Sequence, residues 1–79
     1  MSSAAPHRGH HLADFPLLVS AEDAATIVGM SRSEFYRQDK EGRVPQAKRF
    51  GRLKRWSRIE LMRWAEAGFP GRDDWEARE

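Results

Sequence analysis

Gly29 and Ser31 stand two residues apart, and between them the chain has to end one helix and begin another. Upstream, Ser20 reads as a helix N-cap, with Glu22 and Asp23 in the first turn, where the helix dipole favours acids. Ala24, Ile27 and Val28 fall at i, i+3, i+4 and form the expected buried stripe. Gly29 then supplies the left-handed residue that closes the helix. Ser31-Arg32-Ser33-Glu34 reads as a capping box, with Ser31 capping the third amide and Glu34 reaching back; Met30 and Phe35 are its hydrophobic staple. This second helix is expected to run to about Glu41. Gly42 stops it, and Val44-Pro45 forces the chain to extend. Two helices joined through Gly-Met by so sharp a turn carry a helix-turn-helix signature.

Downstream, two short runs from Ala47 to Trp56 flank Gly51-Arg52, which suits a tight hairpin turn with glycine at its first central position. A two-residue turn puts Phe50 and Leu53 on one face and Ala47 and Trp56 on the other; a bulged turn changes that register. A second capping box, Ser57-Arg58-Ile59-Glu60, opens a third helix stapled by Trp56 and Leu61. Leu61, Trp64 and Ala65 are its core stripe, and Gly68 and Pro70 end it. Leu17-Leu18-Val19 is a short extended lead-in that packs on the core. Trp75, alone in a polar C-terminal segment, is expected to fold back onto the third helix. The expected fold class is α+β, mainly helical: a small winged helix-turn-helix of three helices and a two-stranded hairpin wing over residues 16–68. An N-terminal arm, 1–15, shows no period and reads as disordered. An acidic tail, 69–79, packs partly on the domain.

Seventy-nine residues make one domain, and a chain this short buries only about 60% of its unfolded surface. The absence of cysteine excludes a disulfide framework and a thiolate metal site. No apolar run approaches the ~20 residues that span a bilayer, and the N-terminus lacks the apolar stretch of a signal peptide. A soluble, cytoplasmic protein is expected. His7, His10 and His11 all lie in the arm with no acid or cysteine to complete a metal site. Nucleophilic catalysis needs a positioned base, and none is available elsewhere. No enzyme activity, metal or cofactor is expected.

Charge is unevenly placed. Residues 31–58 hold ten of the fourteen Lys and Arg but three of the twelve acids, a net +7 against −5 for the rest. One concentrated cationic region in a short chain is the electrostatic footprint of a nucleic-acid binder. On the second helix Phe35 defines the core side, while Ser33, Tyr36, Arg37 and Lys40 share a stripe pointing away. These groups suit base edges and phosphates, and an α-helix fits the major groove. Arg32, at the helix N-terminus, is placed for a phosphate. The hairpin adds Lys48, Arg49, Arg52, Lys54 and Arg55, and its Gly-Arg tip has the size for a minor groove. Trp56 and Trp64 are assigned to the core and Tyr36 to DNA. Gln38 and Asp39 flank the Phe35 side, where apolar residues are expected, and Asp39 is expected to pair with an arginine.

The run from Leu17 through Glu34-Phe35-Tyr36-Arg37, then Glu41-Gly42-Arg43-Val44-Pro45, Arg49-Phe50-Gly51 and Arg55-Trp56 to Leu61 and Trp64, resembles the MerR-like winged-helix domain. Within that group it is most similar to phage excisionases and AlpA-type regulators, over about Leu17 to Gly68. The resemblance implies DNA contacts from Ser31, Arg32, Ser33, Tyr36, Arg37 and the wing around Arg52. It implies core roles for Phe35, Trp56, Leu61 and Trp64. Gln38 and Asp39 depart from the apolar or aromatic residues usual there. MerR-type regulators continue into a long dimerisation helix and an effector domain, and neither is expected here. The resemblance therefore implies a bare DNA-binding module: an excisionase that binds repeated sites, bends double-stranded DNA and directs an integrase. A transcriptional regulator with the same contacts is the near alternative. A phage DNA-packaging adaptor and a pure protein-interaction module are alternatives of other classes. Self-association on DNA is expected rather than a stable free dimer.

Overall fold

Each serine expected to open a helix does so in the computed structural model, which describes residues 14–78. The hydroxyl oxygens of Ser20, Ser31 and Ser57 accept from the amides of Asp23, Glu34 and Glu60 at 3.3, 3.1 and 3.1 Å. They start α1 (Ala21–Val28), α2 (Arg32–Lys40) and α3 (Arg58–Glu66). Gly29 closes α1 at φ +84°. The Gly29 amide donates to the Thr26 carbonyl and the Met30 amide to that of Ala25, the paired closure that a left-handed residue permits. The acids of the two capping boxes are turned elsewhere. Glu34 accepts from Arg37 and Gln38, and Glu60 accepts from Trp75. The N-terminal arm and its three histidines lie almost wholly outside the described residues.

The hairpin has the tight register. Phe50 faces Leu53, Arg49 faces Lys54 and Lys48 faces Arg55 across the Gly51-Arg52 turn. These residues form β2 (Lys48–Phe50) and β3 (Leu53–Ser57). The extended lead-in is more than packing: Leu18–Val19 forms a strand, β1, pairing Leu18 with Ser57 and Val19 with Trp56. The sheet is three-stranded and antiparallel, in the order β1-β3-β2. The pairing gives the inner edge of β3 partners for backbone groups that burial would otherwise strand.

The core lies between this sheet and the helices. Phe35, Trp56, Leu61 and Trp64 are all but fully buried, and the Phe35 and Trp56 rings meet edge to face at 5.0 Å. On α1 the buried residues are Ala21, Ala24 and Ala25; the expected stripe of Ala24, Ile27 and Val28 is rotated, leaving Ile27 and Val28 half-buried. Both stripes fit a helix this short, and the small alanines let α1 approach its neighbours closely.

A fourth helix, α4 (Arg72–Ala77), follows. It escapes the sequence reading because four polar residues around one tryptophan and one alanine show no stripe. Trp75 is buried, and its indole N–H donates to Glu60 at 2.9 Å. All three indole N–H groups have partners: Trp56 donates to the Pro45 carbonyl and Trp64 to that of Pro70, at 2.9 and 2.7 Å. Such pairing is what lets tryptophan be buried at low polar cost.

Candidate nucleic-acid interface

Phe35 pins α2 to the core and thereby fixes what the opposite face presents. Arg32, Ser33, Tyr36, Arg37 and Lys40 are all exposed. The Arg32 guanidinium sits over the Tyr36 ring, 5.5 Å from its centroid, a cation–π contact across one helical turn. Ser31 acts as the cap, so its hydroxyl is already engaged with the Glu34 amide.

Arg37 is not bare. Its guanidinium bonds the Glu34 carboxylate and lies 3.6 Å from Glu41, while Gln38 donates to the same Glu34 oxygen at 2.7 Å. The Arg37 bond, reinforced by Gln38, holds the Glu34 carboxyl below its ordinary value of 4.5. Glu34 in turn raises Arg37. A pair this exposed adds little stability and can be exchanged for a phosphate or a base edge. Because the Glu34 value is depressed, the contribution of the pair is complete above the ordinary carboxylate range and fades as pH falls through the lowered value. A carboxyl NMR titration is expected to place the Glu34 midpoint below 4.5, and Arg37→Ala should return it most of the way upward. An unmoved midpoint would show that the pair does not persist in solution.

The pleat divides the wing cations between two faces, since residues opposite one another share a side. Lys48, Phe50, Leu53 and Arg55 are on one face; Arg49, Lys54 and Trp56 are on the other. Phe50 and Leu53 form an exposed apolar pair at the tip. Lys54 turns inward: its ammonium lies 5.3 Å above the Trp56 ring and bonds Asp39 at 3.0 Å. Lys48 lies 3.6 Å from Glu60, and Arg55 donates to the Lys54 carbonyl. Arg49 and Arg52 make no ion pair among the described residues.

Tyr36 of α2 and Arg52 and Arg55 of the wing line one groove, with Ser20 and Ala21 at the start of α1. The helix and the hairpin are thus two sides of a single surface, with Leu53, Lys54 and Trp56 also in its lining.

Asp39 has the arginine partner its position called for. That partner is Arg72 of α4, at 2.7 Å. Arg72 also donates to the backbone carbonyls of Asp39 and Val44. Sequence reasoning missed Arg72 and Glu60 because their partners are distant in the chain and no local pattern marks them. Glu34 reads from sequence only as the capping-box acid; the signal for its pair with Arg37 is present, an acid three residues before an arginine on one helix.

Among the described residues no three His, Cys, Asp or Glu gather to hold a metal. No helix among them is long and apolar enough to cross a membrane.

No curated protein and no solved structure matches the chain. Residues 17–69 do match a family, the one described as Prophage CP4-57 regulatory protein (AlpA). The matched stretch runs from the residue before β1 to the turn after α3 and takes in α2 and the whole wing. With about two thirds of its length inside that match, the chain belongs to the AlpA family, a regulatory, DNA-binding family of phages rather than an enzymatic one.

Proposed function

We propose that this protein binds specific sites on double-stranded DNA as a winged helix-turn-helix of the MerR-like type, with α2 in the major groove and the wing tip against the neighbouring minor groove. The observation that carries the reading is the shared groove of Tyr36, Arg52 and Arg55, flanked by the outward stripe of α2. Its contact residues are Ser31, Arg32, Ser33, Tyr36, Arg37 and Lys40 on the helix side, and Lys48, Arg49, Arg52, Lys54 and Arg55 on the wing. Helices in such folds read bases mainly with their N-terminal part, which here is the part carrying Arg32, Ser33 and Tyr36. The biological role is that of an excisionase: several copies on repeated sites bend the DNA and direct an integrase, in the cytoplasm. A single module covers only about 600–1,000 Å², so selectivity comes from side-by-side loading rather than from a stable free dimer. The cationic wing of one copy meets the acidic end of the next, where Glu66, Asp73, Asp74 and Glu76 are exposed. The family's regulatory description favours promoter control as the second reading, with the same contacts.

A footprint on the DNA flanking the gene, followed by an excision assay with any integrase encoded beside it, separates the two. Reading and clamping separate by mutation. Arg37→Ala is expected to cost about 1–3 kcal/mol on the footprinted site and to relax one base pair. Arg52→Ala is expected to weaken all A·T-rich duplexes alike. Equal, small losses on specific and random DNA would reduce Arg37 to a phosphate contact.

A further inference from the structure

The two wing lysines that are tied to acids are tied in the same way. Asp39, at the end of α2, gives one carboxylate oxygen to Arg72 of α4 at 2.7 Å and the other to Lys54 of β3 at 3.0 Å. Glu60, in the first turn of α3, gives one oxygen to the Trp75 indole of α4 at 2.9 Å and the other, at 3.6 Å, to Lys48 of β2. Each chain of contacts starts on α4, crosses one carboxylate on a core helix and ends on one wing strand. Lys48 and Lys54 point to opposite faces of the hairpin, because they differ by one step in register. The wing is therefore gripped from both sides, and both grips begin on one short helix.

Both carboxylates are well shielded, at 13% and 21% exposed, and Arg72 is further fixed by the Val44 and Asp39 carbonyls. The α4 end of each chain is thus rigid and the wing end more accessible. β1 pairs with β3 only at Trp56 and Ser57, the foot of the wing, and a two-stranded ribbon beyond that is only marginally stable on its own, so side-chain contacts help to set its direction.

We infer that Arg72 and Trp75 are positioning residues: acting through Asp39 and Glu60, they hold the two wing strands and set the angle between the wing and the recognition helix. This goes beyond the DNA-binding reading, and its test needs no DNA, so the two stand or fall separately. The consequence for that reading is that α4 is part of the reading head, although it offers no cation of its own to the groove.

The chain has no cysteine, so a spin-label pair at Thr26→Cys on α1 and Arg52→Cys at the wing tip is unambiguous. The parent is expected to give one narrow distance distribution. Arg72→Gln and Trp75→Phe, which keeps the ring and loses only the N–H, should each widen it about twofold, a local loosening without global unfolding. Arg72→Lys should restore most of the narrowness by rebuilding the Asp39 pair. Lys48→Gln and Lys54→Gln cut the same two chains at the wing end without touching α4, and they decide the matter where an α4 variant does not fold. Distributions as narrow as the parent's in folded Arg72→Gln and in both lysine variants would overturn the inference and leave α4 as a plug on the core.

Discussion

Trp56→Ala is expected to cost about 3–5 kcal/mol of stability, the usual range for deleting a buried tryptophan. Domains of this size carry only about 0.05–0.15 kcal/mol per residue, so the substitution removes a large share of the total. In a domain of 60–100 residues each kcal/mol moves Tm by about 4–8 °C, and a fall of at least about 12 °C is anticipated. The reason is that Trp56 joins three layers. Its ring meets that of Phe35 of α2 edge to face, it faces Val19 in the sheet and it donates to the Pro45 carbonyl. Trp56→Phe keeps the first two contacts and leaves that carbonyl unpaired, for a milder loss of about 1–3 kcal/mol. Circular dichroism melts of the two variants check the ranking. An alanine variant that melts with the parent would remove Trp56 from the core.

On any duplex, affinity should collapse with salt. Five cations of α2 and the wing, Arg32, Lys40, Arg49, Arg52 and Arg55, make no ion pair among the described residues. If each displaces one counterion, log affinity against log salt has a slope of about −4.5, a fall of about 500-fold between 50 and 200 mM. The slope is diagnostic as well as steep. A value near −7 would mean that Arg37, Lys48 and Lys54 leave their carboxylates for phosphates. Fluorescence anisotropy at several salt concentrations reads it directly, and a flat line ends the DNA reading.

What the sequence made legible was what is local. Serine caps act over three residues, Gly29 and Gly51 act on their own dihedral angles, and a two-residue turn dictates register. So the three longer helices, the hairpin and the burial of Phe35, Trp56, Leu61 and Trp64 could be read directly. The choice between Ala25 and Ile27 or Val28 on α1 could not, because a helix of eight residues accommodates either stripe and its neighbours decide. The pairing of β1 with β3, the Asp39–Arg72 bond and the Trp75–Glu60 bond depend on contacts between distant residues. For the candidate site, composition displayed the cations as one belt. The pleat and four acids, Glu34, Asp39, Glu41 and Glu60, divide them into a group held by carboxylates and a group that is not, a distinction absent from any count of charge.

Among the described residues the β2 strand leaves one edge of the sheet without a partner. Open edges are templates on which another chain can add a strand, and short length and positive charge are common protections against it. Here the edge is three residues, Lys48-Arg49-Phe50, too brief for a durable ladder and repulsive to its own kind. On the DNA-binding reading proposed above, the same side chains that draw copies to a nucleic acid would keep them from fusing through their sheets. The protection is strongest in free solution, and it weakens wherever polyanion neutralises those two charges. High local density on DNA is the condition under which a longer or less basic edge would become a route to aggregation.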